Sequence, residues 1–324
     1  MKFRLTTLTV IFLALVFAVA SAQPFTIEHK YGTTTIPETP ERVVTVGLMD
    51  QDAVIALGIV PVGTTEWYGE QPGALWPWAQ EAIGDAELPT VLDGSAIDYE
   101  RILALQPDLI LALYSNLSKE DYDLLSEIAP TVAPPAGIRD YGISWQQLTQ
   151  MVGEALGKVA KAESLITDLE ARFEQIRTDH PAFVGASALV ATPYEGVFVY
   201  GAEDPRGHLL SDLGFVLPEG LASVVGDLFG GNLSMERLEL LDTDVLVWLD
   251  AVPGEGIIAN PLYAQLPVHT EGREVFVGSS NDPFGASTSF ITVLSLPYLL
   301  DGLVPMLDAA LDGDPETVVA APGE

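Results

Sequence analysis

The residues of this chain that could do covalent or metal chemistry are few. It has no cysteine and four histidines, His29, His180, His208 and His269. Without thiols there is no thiolate ligand, no cysteine nucleophile and no disulfide. No two histidines stand at metal-ligand spacing, so a site built from three convergent imidazoles is not expected. The sequence contains no G-x-S-x-G elbow, no glycine-rich phosphate loop and no H-E-x-x-H. No catalytic residue is assigned, and an enzyme is not expected. What the sequence offers is binding chemistry. Trp67 and Tyr68, Trp76 and Trp78, Tyr114, Tyr194, Tyr200 and Phe284 follow or end strand-like runs. In α/β sheets, ligands sit beyond the carboxyl ends of the strands. Aromatic loops there suit a bulky, partly apolar ligand. Any one of these rings is as readily a core residue; the group carries the reading. Arg206, in Glu203-Asp204-Pro205-Arg206, supplies a guanidinium fork able to clasp two ligand oxygens. Arg139, in AGIRDYG, is the next candidate. The competing role for Arg206 is a pair with Asp204 or Asp212.

The elements that must position these side chains can be read from hydrophobic period. Residues 42–47, 59–65, 108–114 and 131–133 are short apolar strands alternating with helical stretches. Asp50 can cap a short helix that Gly58 ends. Such alternation predicts βαβ units and a mostly parallel sheet. From Ser144, a plausible N-cap, apolar residues then recur every three or four positions, from Trp145 and Leu148 to Phe173 and Ile176. A single linking helix within residues 144–180, about 32 residues of it helical, would be a rod of roughly 48 Å. Strands restart at residues 186–191, 197–200, 244–249 and 274–277, and a final helix is expected over residues 287–311. The predicted plan is an α/β lobe over residues 23–143, a long linking helix over 144–180, and a second α/β lobe over 181–324.

Residues 1–22 read as a secretory leader: Lys2 and Arg4, an apolar run over residues 8–20, then Ala20-Ser21-Ala22. Cleavage after Ala22 is expected. With no cysteine there is no lipid-anchor site, so a free protein of the periplasm is the expected form. The formal net charge is −32, and removing two leader cations makes it −34. Such a chain is repelled by nucleic acid and by anionic membrane surfaces. The acids are spread along the chain, as on a solvated surface.

An internal repeat links the two lobes. Residues 98–111, DYERILALQPDLIL, align without a gap with residues 234–247, SMERLELLDTDVLV. Each copy begins with a capping residue, Asp98 or Ser234, and runs from helix to strand. Glu100 and Glu236 fall at the same place, where a positive helix end stabilises a carboxylate.

Several segments together resemble the periplasmic-binding family for iron siderophores and vitamin B12. They are IPETPERVVTVGLMDQDAVIALGIVPVG, IDYERILALQPDLILA and LLSEIAPTVA in the first lobe. In the second they are YGAEDPRGHLLSDLGF, LSMERLELLDTDVLVWLD and NPLYAQLPV. The resemblance runs from about Gln23 to Leu311. It implies two α/β lobes with mostly parallel sheets bridged by one long backbone helix (the class III fold), with little closure on binding. It also implies a monomeric receptor that takes an Fe(III)-siderophore chelate, uses no cofactor, and delivers to an ABC permease dimer with a cytoplasmic ATPase. A vitamin B12 or haem receptor is the alternative, and an exported enzyme on a similar scaffold a remote one. The ferric hydroxamate-type branch is the most similar. Gly94 stands where that branch has a ligand-contacting arginine, Tyr114 matches its tyrosine, and Phe229 replaces its second-lobe tryptophan. The resemblance implies that Glu100 and Glu236 meet permease arginines. The expected ligand contacts are Trp67, Tyr68, Tyr114, Arg206, Phe229 and Phe284, with no direct metal ligand. His208 is the residue to watch: an incompletely wrapped iron could accept its imidazole, whereas packing in its helix is the plainer role.

Overall fold

The computed structural model describes residues 24–226, 228–317 and 319. The leader reading lies outside these residues. No described helix is long and apolar enough to cross a membrane. A small antiparallel hairpin, β1 (Phe25–His29) and β2 (Gly32–Ile36), opens the fold. The first large sheet contains β3 (Val43–Thr45), β4 (Gly63–Thr65), β5 (Thr90–Leu92), β6 (Leu109–Leu111) and β7 (Thr131–Val132). Its order is β5-β4-β3-β6-β7, all parallel. The second contains β8 (Ala188–Thr192), β9 (Val197–Tyr200), β10 (Gly230–Leu233), β11 (Val245–Trp248) and β12 (Glu274–Phe276). Its order is β10-β9-β8-β11-β12, and β9 and β10 run antiparallel at one edge. Central strands such as β6 and β11 are apolar throughout because helices cover both faces.

The repeat seen in the sequence is a repeat in space. β6 and β11 are each fourth in their sheets. The aspartate before each does the same work. Asp108 accepts the amides of Glu41 and Arg42 at 2.9 Å, fixing the start of β3. Asp244 accepts the Ser187 amide at 2.7 Å, fixing the start of β8. The helical turns differ. Tyr99–Ala104 is α-helical and capped by Asp98, whereas Met235–Leu241 is 3-10 with a kink at Arg237.

The linking helix departs from the expected single rod. Two helices, Trp145–Ala155 and Val159–Asp179, are separated at Gly157, whose φ is 64°. A left-handed glycine there ends the first helix. Gly153 lets Ala162 of the second helix approach its backbone closely. The apolar period continues across the break because both helices bury faces in the same cores. Val152 and Ala162 belong to the first-lobe core, while Leu169 and Phe173 lie in the second. The bridging element is therefore the 21-residue helix Val159–Asp179, about 32 Å long. The expected final helix is also shorter. Pro283–Ser287 and Leu296–Ala310 are separate helices. Between them, Ser287 and Thr288 hydroxyls bond back to the carbonyls of Phe284 and Gly285, which favours leaving the helix.

Candidate functional site

The first-lobe rings converge where the lobes meet. Trp67 and Tyr68 follow β4, and their ring centroids are 5.2 Å apart. Trp67 is 5.8 Å from Tyr114, and Tyr114 is 5.3 Å from Tyr141. Asp50 positions Tyr114. It is the first residue of the helix Asp50–Ala56, and its carboxylate reaches across to the amides of Leu113 and Tyr114, at 2.7 and 3.0 Å. Sequence reasoning expected Asp50 to cap its own helix; the neighbouring strand end takes it instead.

The second lobe brings an arginine. Asp204 caps the helix Pro205–Asp212 through the Arg206 amide at 2.8 Å, and also pairs with the Arg206 guanidinium at 3.0 Å. Arg206 donates to Ser289 Oγ at 2.7 Å and lies over the Tyr200 ring at 4.3 Å. The intralobe pair with Asp204 is thus present, while Asp212 instead accepts from Trp145 at 3.1 Å. Arg206 Nε is buried and finds no acceptor. Burial pushes the phenols of Tyr68, Tyr114 and Tyr200 upward. At neutral pH they are uncharged hydrogen-bonding groups. The charges of Arg206 and Asp204 both act on Tyr114, which places this pair beside the first-lobe rings.

Two further contacts cross the seam. Phe290, 2 % exposed, packs on Trp67, Tyr68, Trp76 and Trp78, at 5.3, 5.6, 5.9 and 6.2 Å. Burying such a ring contributes about 1.5–3 kcal/mol. Asp52 Oδ2 accepts from Trp78 Nε1 at 2.8 Å and from Thr292 Oγ1 at 2.7 Å. Burial pushes both Asp50 and Asp52 up to about 6 from 3.8, although their hydrogen bonds pull the other way. The folded state therefore binds more protons than the unfolded chain between about pH 4 and 6. Stability falls as pH rises through that window and levels off above it, by roughly 3 kcal/mol for each carboxyl. A melting series should give a higher Tm at pH 5 than at pH 7.5. Asp52→Asn keeps an acceptor for both donors and carries no charge, so it should raise Tm at pH 7.5 and flatten the profile. An unchanged profile would mean that Asp52 does not titrate there.

The other expected contacts lie elsewhere. Phe284 is 8 % exposed in the second-lobe core, 6.4 Å from Tyr298, and is not brought to the cluster. Phe229 is 47 % exposed, 5.7 Å from Phe198, which is itself 5.2 Å from Tyr200. It stands at the outer end of a ring chain leading in to Arg206. Tyr194 is exposed. Gly94 lines cavities of about 440 and 860 Å³, and a Cβ there would collide with the Glu66 carbonyl. A side chain at this position is thus excluded by the neighbouring backbone. His208 is half-buried in the helix Pro205–Asp212, near Asp212, with its Nδ1 unpartnered. No group of three or more His, Asp or Glu able to hold a metal occurs among the described residues. Arg139 lines a third cavity of about 520 Å³ with Glu203. Sequence reasoning missed Tyr141, Phe290, Asp52 and Thr292. Tyr141 had a signal, since AGIRDYG was noted for its arginine.

Two α/β lobes, one bridging helix and an aromatic site at their junction define a two-lobed solute-binding protein. The chain belongs to the periplasmic binding protein family, whose model matches residues 43–279. It is 27 % identical over 297 residues to the ferric-anguibactin-binding protein FatB of Vibrio anguillarum, covering 87 % of each chain. It is 26 % identical over 219 residues to the Fe(3+) dicitrate-binding periplasmic protein FecB of Escherichia coli, covering 65 % of this chain and 68 % of that one. Among solved structures, a periplasmic solute binding protein from Mycobacterium smegmatis superposes with TM-score 0.77 at 34 % identity, covering 89 % of this chain and 99 % of that one. PiaA of Streptococcus pneumoniae in complex with ferrichrome gives TM-score 0.80 at 29 % identity, covering 90 % and 99 %.

Proposed function

We propose that this protein captures a ferric siderophore between its lobes and delivers it to an ABC permease dimer driven by a cytoplasmic ATPase. The observation that carries the reading is the junction itself. Trp67, Tyr68 and Tyr114 cluster on one lobe, and Tyr200 and Arg206 of the other lie within electrostatic reach of Tyr68 and Tyr114. Rings can stack on the organic wrapping of a chelate, and the uncommitted Arg206 Nε can donate to its oxygens. A siderophore encloses its iron, so the protein contributes packing and donors while the chelate contributes the ligands. The similar proteins named for ferric anguibactin, Fe(3+) dicitrate and bound ferrichrome support this class of ligand. Residues 1–22, which read as a secretory leader, support a receptor in the periplasm.

Tryptophan fluorescence tests the reading, because Trp67 lies in the site. Ferric chelates of the hydroxamate, catecholate and carboxylate types are titrated into the purified protein. At least one should quench with a Kd at micromolar concentration or below. Free ferric, zinc and manganese ions should show no tight site. Failure of every chelate, or tight binding of a bare ion, would overturn the proposal.

A further inference from the structure

We infer that the cleft sorts chelates by charge, admitting an electroneutral or cationic ferric complex and turning away polyanionic ones. This rests on the ferric-chelate reading and goes beyond it. Kinship does not decide the matter, since one similar protein is named for Fe(3+) dicitrate and another is seen in complex with ferrichrome.

The groups around the aromatic cluster do decide it. The cavity of about 440 Å³ that reaches Tyr141 is lined by Asp93, Asp98 and Asp121 and by no lysine or arginine. The cavity of about 860 Å³ beside Trp67 and Tyr68 sets Glu66, Glu70 and Asp93 against Arg101. The cavity of about 520 Å³ across the seam sets Glu203 and Glu219 against Arg139. Between them stands Arg206, the one buried lysine or arginine among the described residues, with its charge already matched by Asp204. Asp250 adds a further negative charge felt by Tyr68 and Tyr200. Nine carboxylates thus border the region against three guanidiniums. The chain as a whole carries −32, and a cleft lined mainly by one sign of charge focuses the field.

A polyanionic chelate entering this region would meet a threefold excess of like charge and find its buried arginine already paired with Asp204. Like-charge juxtaposition at an interface suppresses wrong partners. Three hydroxamates, each singly charged, cancel the charge of Fe(III). Three catecholates leave the complex at −3, and ferric citrate complexes are also anionic. Phenols held neutral by burial, and a guanidinium with one free N–H, suit the oxygens of an uncharged complex.

The test compares four ferric complexes on the full mature protein by fluorescence titration, at low and high NaCl. They are ferrichrome, which is neutral; ferrioxamine B, which carries one positive charge; ferric dicitrate; and ferric enterobactin. Ferrichrome or ferrioxamine B should bind at least 100-fold tighter than either anionic complex. Anionic binding should strengthen as salt screens the cleft. The triple variant E70Q/D93N/E203Q, altered only at exposed side chains, should narrow the ratio at least tenfold by raising affinity for the anionic complexes. An anionic complex that binds as tightly as the neutral one, in the wild type at low salt, overturns the inference and leaves the receptor reading standing. If no complex of any charge binds, the receptor reading itself falls, and the inference with it.

Discussion

Replacing Glu100 and Glu236 together by alanine should abolish uptake of the ferric chelate in cells and leave the purified protein's affinity within about twofold. Both side chains are exposed, in the first turns of Tyr99–Ala104 and Met235–Leu241. Among the described residues neither forms an ion pair. Arg237, the obvious partner for Glu236, is held by Ser223 at 2.7 Å and lies 4.0 Å from Glu239. A helix-end carboxylate is worth only about 0.3–1 kcal/mol, and the kinked 3-10 turn under Glu236 offers a weaker dipole still. A matched pair of unpaired carboxylates, one on each lobe at equivalent positions of the repeat, fits two cationic partners on a two-fold permease. Isotopic iron uptake in a receptor-null strain measures the effect. Full uptake by the double variant, at normal receptor level, would remove the docking role.

Arg206→Ala should lower stability by about 3–5 kcal/mol, because it leaves Asp204 as an unpaired buried charge. For a chain of this size that is a fall in Tm of roughly 6–20 °C, at about 2–4 °C per kcal/mol. The Ser289 bond and the contact with Tyr200 are lost as well. Chelate affinity should drop at least tenfold, about 1.4 kcal/mol. The double change Asp204→Leu with Arg206→Met separates the two effects. It should recover much of the stability, since apolar replacement of a buried pair is often neutral or better, and should leave binding weak. Calorimetry and fluorescence titration read the two effects. Normal affinity in the double variant would assign Arg206 to the lobe's internal scaffold alone.

Much of this fold was legible in the sequence, because period and repeat report burial directly. The strands β3, β6, β9 and β11 and the pairing of residues 98–111 with 234–247 follow from apolar runs and from capping residues. The break at Gly157 was not legible, because a stripe that continues across a glycine looks the same whether the helix continues or folds back. The hairpin β1–β2 was missed because GTTTI is too polar to read as a strand, although its threonines pair in register with Thr26, Ile27 and Glu28. In the site, Trp67, Tyr68 and Tyr114 were found as rings at strand ends. Phe284 was chosen as a ring following the strand at residues 274–277, whereas Phe290 lay inside the helix expected over residues 287–311. The serine and threonine hydroxyls at its start break that helix and carry Phe290 to the other lobe. Asp52 gave no signal, since nothing local marks a carboxylate whose partner is 240 residues away.

The crossing of Phe290 and Thr292 bears on when the chain can fold during its synthesis. The core of the first lobe includes Ala286 and Phe290, which a ribosome adds only after the last strand of the second sheet, β12. Domains usually mature from the amino end as they emerge. This one lacks part of its inner wall until the other lobe is almost complete. Until then the aromatic wall around Trp67 and Trp76 has no Phe290 to pack against. Closure of the first lobe is therefore a late step, coupled to completion of the second lobe.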